Sequence, residues 1–284
     1  MTGRGRAGHT PVMQSRGAGG ATIHYTTSGA GPAVLLLQGV GAIGRAWRPQ
    51  IEALASDHTA IAVDNRGIGN SSLGSAPLSI ETMAADALAV ADSVGAECFD
   101  VVGHSMGGLI AQQLALMAPR RVRSLSLLCT FARGAQGARM SWDLLVAGLR
   151  SRIGPRAARR RAFVELVMPT EYLAVVDRPS LDIELADLFG RDLADQPPIV
   201  MAQLKAMGRF DAFDRLASLA SIPTLVVSAS HDRIALPEFG RHLANAIPGS
   251  RYVEIAGGGH AVPIHAADKI NQLLKEHIKL RIAD

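Results

Sequence analysis

Along the chain, short apolar runs rich in β-branched residues alternate with longer stretches of helical periodicity. Six runs are strong: Ala33–Leu37, Thr59–Val63, Phe99–Gly103, Val122–Leu128, Thr224–Ser228 and Tyr252–Ile255. They read as apolar runs rather than strict alternation, the pattern of strands covered on both faces. Two weaker runs, Thr10–Arg16 and Ala21–Thr27, flank Gly17-Ala18-Gly19-Gly20, which reads as a hairpin turn. Between the runs, Ile80–Val94 places Ile80, Met83, Ala84, Ala87, Leu88 and Ala91 on one helical face behind Ser79 as N-cap. Met106–Met117 and Ala267–Ile278 follow the same period. Strand–helix alternation of this kind predicts an α/β fold, a mostly parallel eight-stranded sheet flanked by helices. From about Phe131 to Phe210 the rhythm breaks: only helical periodicity and loop signals such as Gly154-Pro155 and Pro197-Pro198 appear. That stretch reads as a helical cap inserted at residues 132–210, which splits the core into 1–131 and 211–284.

Composition narrows the class. The 284 residues are 48% hydrophobic and 19% charged, enough apolar surface for a sizeable core. Net charge is +4, and the 29 basic residues include only four lysines, so 25 are arginines. The densest basic cluster, Arg150 to Arg161, holds no interleaved aromatic, so it reads as a solvated helix face and no nucleic-acid partner is expected. No apolar run is long enough to span a bilayer, so no membrane partner is expected. The first twenty residues lack the apolar centre of a secretory signal. Cys98 and Cys129 fall at opposite ends of two predicted parallel strands, too far apart to bridge, which points to reduced thiols and a cytoplasmic location.

Gly103-His104-Ser105-Met106-Gly107-Gly108 sits between an apolar strand and a helical pattern. A strand, a sharp turn and a helix with serine at the tip form a nucleophile elbow. The turn brings neighbouring chain close enough to exclude side chains at Gly103 and Gly107. It also leaves Ser105 at a helix N-terminus, where free N–H groups favour negative charge. With this elbow, Leu37-Gln38-Gly39-Val40-Gly41 and Asp64-Asn65-Arg66-Gly67-Ile68-Gly69-Asn70-Ser71 each follow a strand. Later come Pro223-Thr224-Leu225-Val226-Val227 leading to Asp232, and Gly258-Gly259-His260. In these motifs and their order, from roughly Val12 to Leu280, the chain resembles the α/β-hydrolase superfamily, in its capped serine esterase and enol-lactonase-like branch.

A serine hydroxyl needs a base, usually a histidine oriented by a carboxylate. Of nine histidines, the resemblance selects His260, delivered over the elbow by the loop after the last strand. His104 reads as packing beneath the turn, His231 as a loop histidine, and His265 as a surface residue at a helix start. Asp232 lies beyond the carboxyl end of Thr224–Ser228, where such folds place function. The rival position after Val122–Leu128 offers Cys129, Thr130 and Phe131, none of them a carboxylate. Asp211 and Asp214 read as capping and hinge residues at the return from cap to core. The order Ser105, Asp232, His260 is the superfamily's. The backbone N–H groups of Met106 and Val40 are the expected oxyanion donors. Relatives usually carry His-Gly where this chain has Gln38-Gly39. Asp64–Ser71 reads as a tight turn braced by an Asp–Arg pair, and Trp47 as a packing anchor.

No His/Cys/Asp cluster has zinc spacing and no phosphate-binding Gly-rich loop is present, so neither metal nor cofactor is expected. The resemblance implies a serine hydrolase acting on carboxylic esters or lactones. No polar group stands out in the cap to clamp a charged substrate, which points to neutral, small to medium ones, and the sequence does not choose between a monomer and a homodimer. Bulky cap residues offered as pocket lining are Trp142, Phe163, Tyr172, Met201 and Leu204. Two other readings stay open. One is the same triad used for carbon–carbon bond hydrolysis, perhydrolysis or acyl transfer; the other is a non-catalytic small-ligand receptor.

Overall fold

The computed structural model describes residues 12–137, 146 and 148–279. Eight strands form one sheet: β1 Val12–Arg16, β2 Thr22–Ser28, β3 Ala33–Leu37, β4 Thr59–Val63, β5 Phe99–His104, β6 Val122–Leu128, β7 Thr224–Ala229 and β8 Arg251–Ile255. Their spatial order is β1-β2-β4-β3-β5-β6-β7-β8. β1 and β2 pair antiparallel, as do β2 and β4, and every other pair is parallel. The turn Ala18–Gly20 joins β1 to β2 and sets Arg16 opposite Thr22. Strand identity follows burial. β3, β5 and β7 are buried at every position, whereas edge strand β1 is exposed at four of its five. Continuous apolar runs are tolerated only where both faces are covered.

The covering helices are α1 Arg48–Leu54, α2 Ile80–Ser93 and α3 Met106–Met117. Ser79 caps α2 through a 3.1 Å bond from Thr82 N–H to its Oγ. α3 is buried on nearly every side, so its sequence is apolar all round. After β6 the chain leaves the sheet for α4 Arg156–Val167, α5 Thr170–Val175, α6 Arg178–Phe189 and α7 Val200–Gly208, then returns for β7. α8 Pro237–Ala246 and α9 Ala267–Lys279 complete the cover. α9 buries Ile270, Leu273, Leu274, His277 and Ile278 on one stripe. None of the described helices is long and apolar enough to cross a membrane.

The excursion between β6 and β7 has a neck. Arg133 and Asp211 form an isolated antiparallel bridge; Gly134 N–H donates to Phe210 O at 2.8 Å and Ala212 N–H to Ala132 O at 3.1 Å. Beyond it, Val164, Val167, Met168, Leu181, Leu185, Leu188 and Leu193 pack into a second apolar cluster, separate from the core of the sheet. That cluster also takes in Ala261, from the loop that follows β8. The basic stretch Arg150–Arg161 is largely exposed, and it carries ion pairs. Arg156 and Arg160 both pair with Asp192, at 2.9 and 2.7 Å, and Arg156 also reaches Asp195.

Candidate active site

The elbow is built by steric exclusion. Ser105 has φ 55° and ψ −122°, one of two described non-glycine residues with positive φ. Such a conformation costs about 1–3 kcal/mol and persists only when its surroundings over-determine it. Here they do: Ser105 N–H donates to Leu128 O at 3.0 Å, and Ser105 O accepts from Gly108 N–H at 2.9 Å and Thr130 Oγ1 at 2.7 Å. A Cβ on Gly103 would lie 2.3 Å from Gly107 O, and one on Gly107 would lie 2.0 Å from Leu37 O. Both glycines are therefore required by backbone, which does not yield as a side chain would.

The chain after β3 passes against the serine: a Cβ on Gly39 would meet Ser105 Cβ at 3.0 Å. Within this loop three N–H groups are engaged. Gly39 N–H donates to Gln38 Oε1 at 3.1 Å, Gly41 N–H to Gln203 Oε1 at 2.9 Å, and Ala42 N–H to Gly39 O at 3.4 Å. Val40 N–H, and Met106 N–H at the start of α3, have no partner among the described residues.

Asp232 and His260 arrive from the loops after β7 and β8. Asp232 Oδ2 accepts from His260 Nδ1 at 2.8 Å, while its Oδ1 accepts from Ile234 N–H at 2.8 Å and Ala235 N–H at 2.9 Å. The carboxylate is thus turned toward the imidazole by backbone donors, and the bond holds the His260 proton on Nδ1, leaving Nε2 as acceptor. Both residues are buried. Ser105 and His260 line one cavity of about 230 Å³, whose other walls include Phe131, Phe163, Phe189, Leu204 and Met207. Its few polar lining groups come from residues such as Ser151, Arg152 and Gln196.

Of the pocket residues expected from sequence, Phe163 and Leu204 line this cavity. Met201 does not. It is 59% exposed, because α7 turns Val200, Leu204 and Met207 inward and so directs Met201 to solvent. Tyr172 is also absent from the cavity wall and packs on the His265 ring with centroids 5.4 Å apart. Trp142 lies outside the described residues. His265 is not a free surface histidine: its Nε2 accepts Gly259 N–H at 3.1 Å, beside His260, and burial lowers its pKa. His231 faces Glu171 at 3.4 Å. The brace of the Asp64–Ser71 turn also differs from expectation. Arg66 pairs with Asp86 of α2, at 2.9 and 2.7 Å, while Asp64 accepts Gly44 N–H at 2.7 Å. Asp64 instead lies under Gly69, where a Cβ would meet its Oδ2 at 2.2 Å.

His104 contributes more than packing. Its Nε2 donates to the backbone carbonyl of His260 at 2.8 Å, its Nδ1 lies 3.3 Å from Gln38 Oε1, and Trp47 meets its ring edge-on at 6.3 Å. Burial, reinforced by the neighbouring His260, holds its pKa at about 3, so it stays neutral. Cys129, the other residue with positive φ, is buried beside Asp232, and burial followed by that carboxylate pushes its thiol pKa well up. Its position at the end of β6 was visible in the sequence; its neighbour was not.

The family profile described as alpha/beta hydrolase fold matches residues 32–267. The chain belongs to the α/β hydrolase family. As a hydrolase of this family it is 35% identical over 263 residues to a protein of Azorhizobium caulinodans named "Putative carbamate hydrolase RutD", spanning 90% of this chain and 94% of that one. Two solved structures share the architecture of this hydrolase. A thermophilic esterase from Thermogutta terrifontis has TM-score 0.77 and 26% identity, over 95% of this chain and 98% of that one. The enol-lactonase from Burkholderia xenovorans LB400 has TM-score 0.78 and 25% identity, over 94% and 100%.

Proposed function

We propose that this chain is a serine hydrolase of carboxylic esters or lactones that works through an acyl-enzyme on Ser105. One observation carries the reading: His260, fixed through Nδ1 by the buried Asp232, opens onto the same apolar cavity as the strained Ser105. In the reaction, His260 Nε2 removes the Ser105 proton as Oγ attacks the carbonyl carbon. The oxyanion that develops is met by Val40 and Met106 N–H, neither of which has a partner among the described residues. The tetrahedral intermediate collapses as His260 returns the proton to the leaving alcohol. Water, activated by the same imidazole, then releases the acid. Residues 132–210 act as a cap on the core formed by 1–131 and 211–284, and its aromatic and aliphatic side chains select the apolar part of the substrate.

The likeness to the Azorhizobium relative, named for carbamate hydrolysis, favours a second reading, a carbamate as substrate of the same serine. The apolar lining suits an ester bearing hydrocarbon groups better than a small polar carbamate. Turnover of p-nitrophenyl esters of graded length, γ- and δ-lactones and alkyl carbamates, each on wild type and Ser105→Ala, separates the two. Hydrolysis of esters or lactones that disappears in Ser105→Ala is expected. Carbamates turned over much faster than esters would move the assignment to the second reading, and ester turnover that persists in Ser105→Ala would sink the serine mechanism.

A further inference from the structure

The Gly41 peptide, next to the free Val40 N–H, is held from both ends by the excursion between β6 and β7. Its N–H donates to Gln203 Oε1 of α7 at 2.9 Å, and its carbonyl accepts from Arg191 Nη2 at 3.1 Å. Gly41 has φ +70°, and a Cβ there would meet Val200 Cγ2 at 3.0 Å. Gln203 is fully buried, and its Nε2 has no partner among the described residues. An orphaned buried amide N–H is costly, so the single bond from Gln203 to Gly41 is the polar contact this side chain supplies. On the other side of Val40, Gly39 N–H is tied to Gln38 Oε1. The Val40 peptide is thus bracketed, by the core through Gln38 and by the excursion through Gln203 and Arg191.

Resting on the reading of Val40 as an oxyanion donor, we infer that Gln203, supported by Arg191, is a positioning residue that sets the oxyanion loop. The excursion then does two jobs. It roofs the cavity, and by gripping Gly41 it aims Val40 N–H at the point where negative charge develops. A donor misplaced by a fraction of an ångström still allows substrate to bind but stabilises the transition state less.

The test compares Gln203→Met and Arg191→Met with wild type, with Lys205→Ala on the exposed side of α7 as control. Three quantities are read: kcat and KM for a neutral ester, affinity for an alkyl boronic acid that forms a tetrahedral adduct on serine, and the melting temperature. For Gln203→Met, kcat should fall roughly ten- to a hundredfold with KM within about twofold, and boronate affinity should fall by a similar factor. Arg191→Met should show a smaller change in the same direction, and it carries the test if Gln203→Met does not fold. A folded variant whose kcat and boronate affinity stay within twofold of wild type overturns the inference, as does a change confined to KM. Ser105→Ala is run alongside. If it is inactive while Gln203→Met is unchanged, only this inference falls; if it retains turnover, the serine mechanism itself falls.

Discussion

Asp232→Asn isolates what the carboxylate does, because each way of placing the new amide opposes donor to donor. With the amide oxygen kept on Ile234 and Ala235 N–H, the NH₂ faces His260 Nδ1, where the carboxylate accepted at 2.8 Å. The imidazole must then carry its proton on Nε2, pointing into the cavity, and cannot act as the base. With the amide reversed, the NH₂ faces the half-buried Ile234 N–H and the buried Ala235 N–H. Leaving both unsatisfied costs about 1–3 kcal/mol each, so roughly 2–6 kcal/mol. The first orientation therefore dominates, and reaching the reactive tautomer costs some 4–5 kcal/mol, or about 10³- to 10⁴-fold in rate. Shape and volume hardly change, so the fold should stay intact. The assay is kcat/KM for a neutral ester across pH, with circular dichroism and a melting curve as controls. A folded Asp232→Asn enzyme within tenfold of wild type at neutral pH would refute the role given to Asp232.

Three further outcomes are expected. Gly107→Ala puts a Cβ 2.0 Å from Leu37 O and 2.9 Å from Gln38 O, so β3 and the loop after it must shift; a loss of about 3 kcal/mol or more and of activity is expected in urea unfolding and ester assays, whereas Gly208→Ala, with open space around it, should be near neutral. Asp86→Ala strands the fully buried Arg66 guanidinium and should cost about 3–5 kcal/mol by chemical denaturation; a loss below about 1 kcal/mol would show that the pair is not needed. His104, at about 3, and His265 and His277 all have pKa values lowered by burial, so the unfolded chain binds their protons first. Stability should be level between about pH 7 and 8 and fall as pH drops below about 6.5, by up to about 1.4 kcal/mol per pH unit for each histidine until its folded pKa is reached; an unchanged urea midpoint at pH 5 would contradict this.

Legibility differed by residue. Ala33–Leu37, Thr59–Val63, Val122–Leu128 and Met106–Met117 could be read to the residue, because strand–helix alternation and apolar runs are local signals. Gly103 and Gly107 flanking Ser105 were legible because the elbow's crowding is largely local, within β5, α3 and the strand beside them. Pocket lining was harder. Phe163 and Met201 look alike as bulky apolar residues, and only the rotation of each helix against the core turns one inward and the other to water. Arg66 illustrates the same limit: a turn that contains its own aspartate suggests a partner two residues away, yet the guanidinium reaches Asp86, twenty residues on.

By itself the sequence determined the order of strands and helices, the excursion after β6 and the elbow, since these depend on local sterics and hydrophobic period, while the resemblance to the family pointed to Asp232 and His260. Tertiary structure alone decided which further side chains meet around the expected Asp232–His260 pair: His104 with the His260 carbonyl, Gln203 and Arg191 with Gly41. Those contacts join segments 28 to 162 residues apart in the chain. Their partners are chosen by packing and by the need to satisfy buried polar groups, and neither leaves a periodic trace in the sequence.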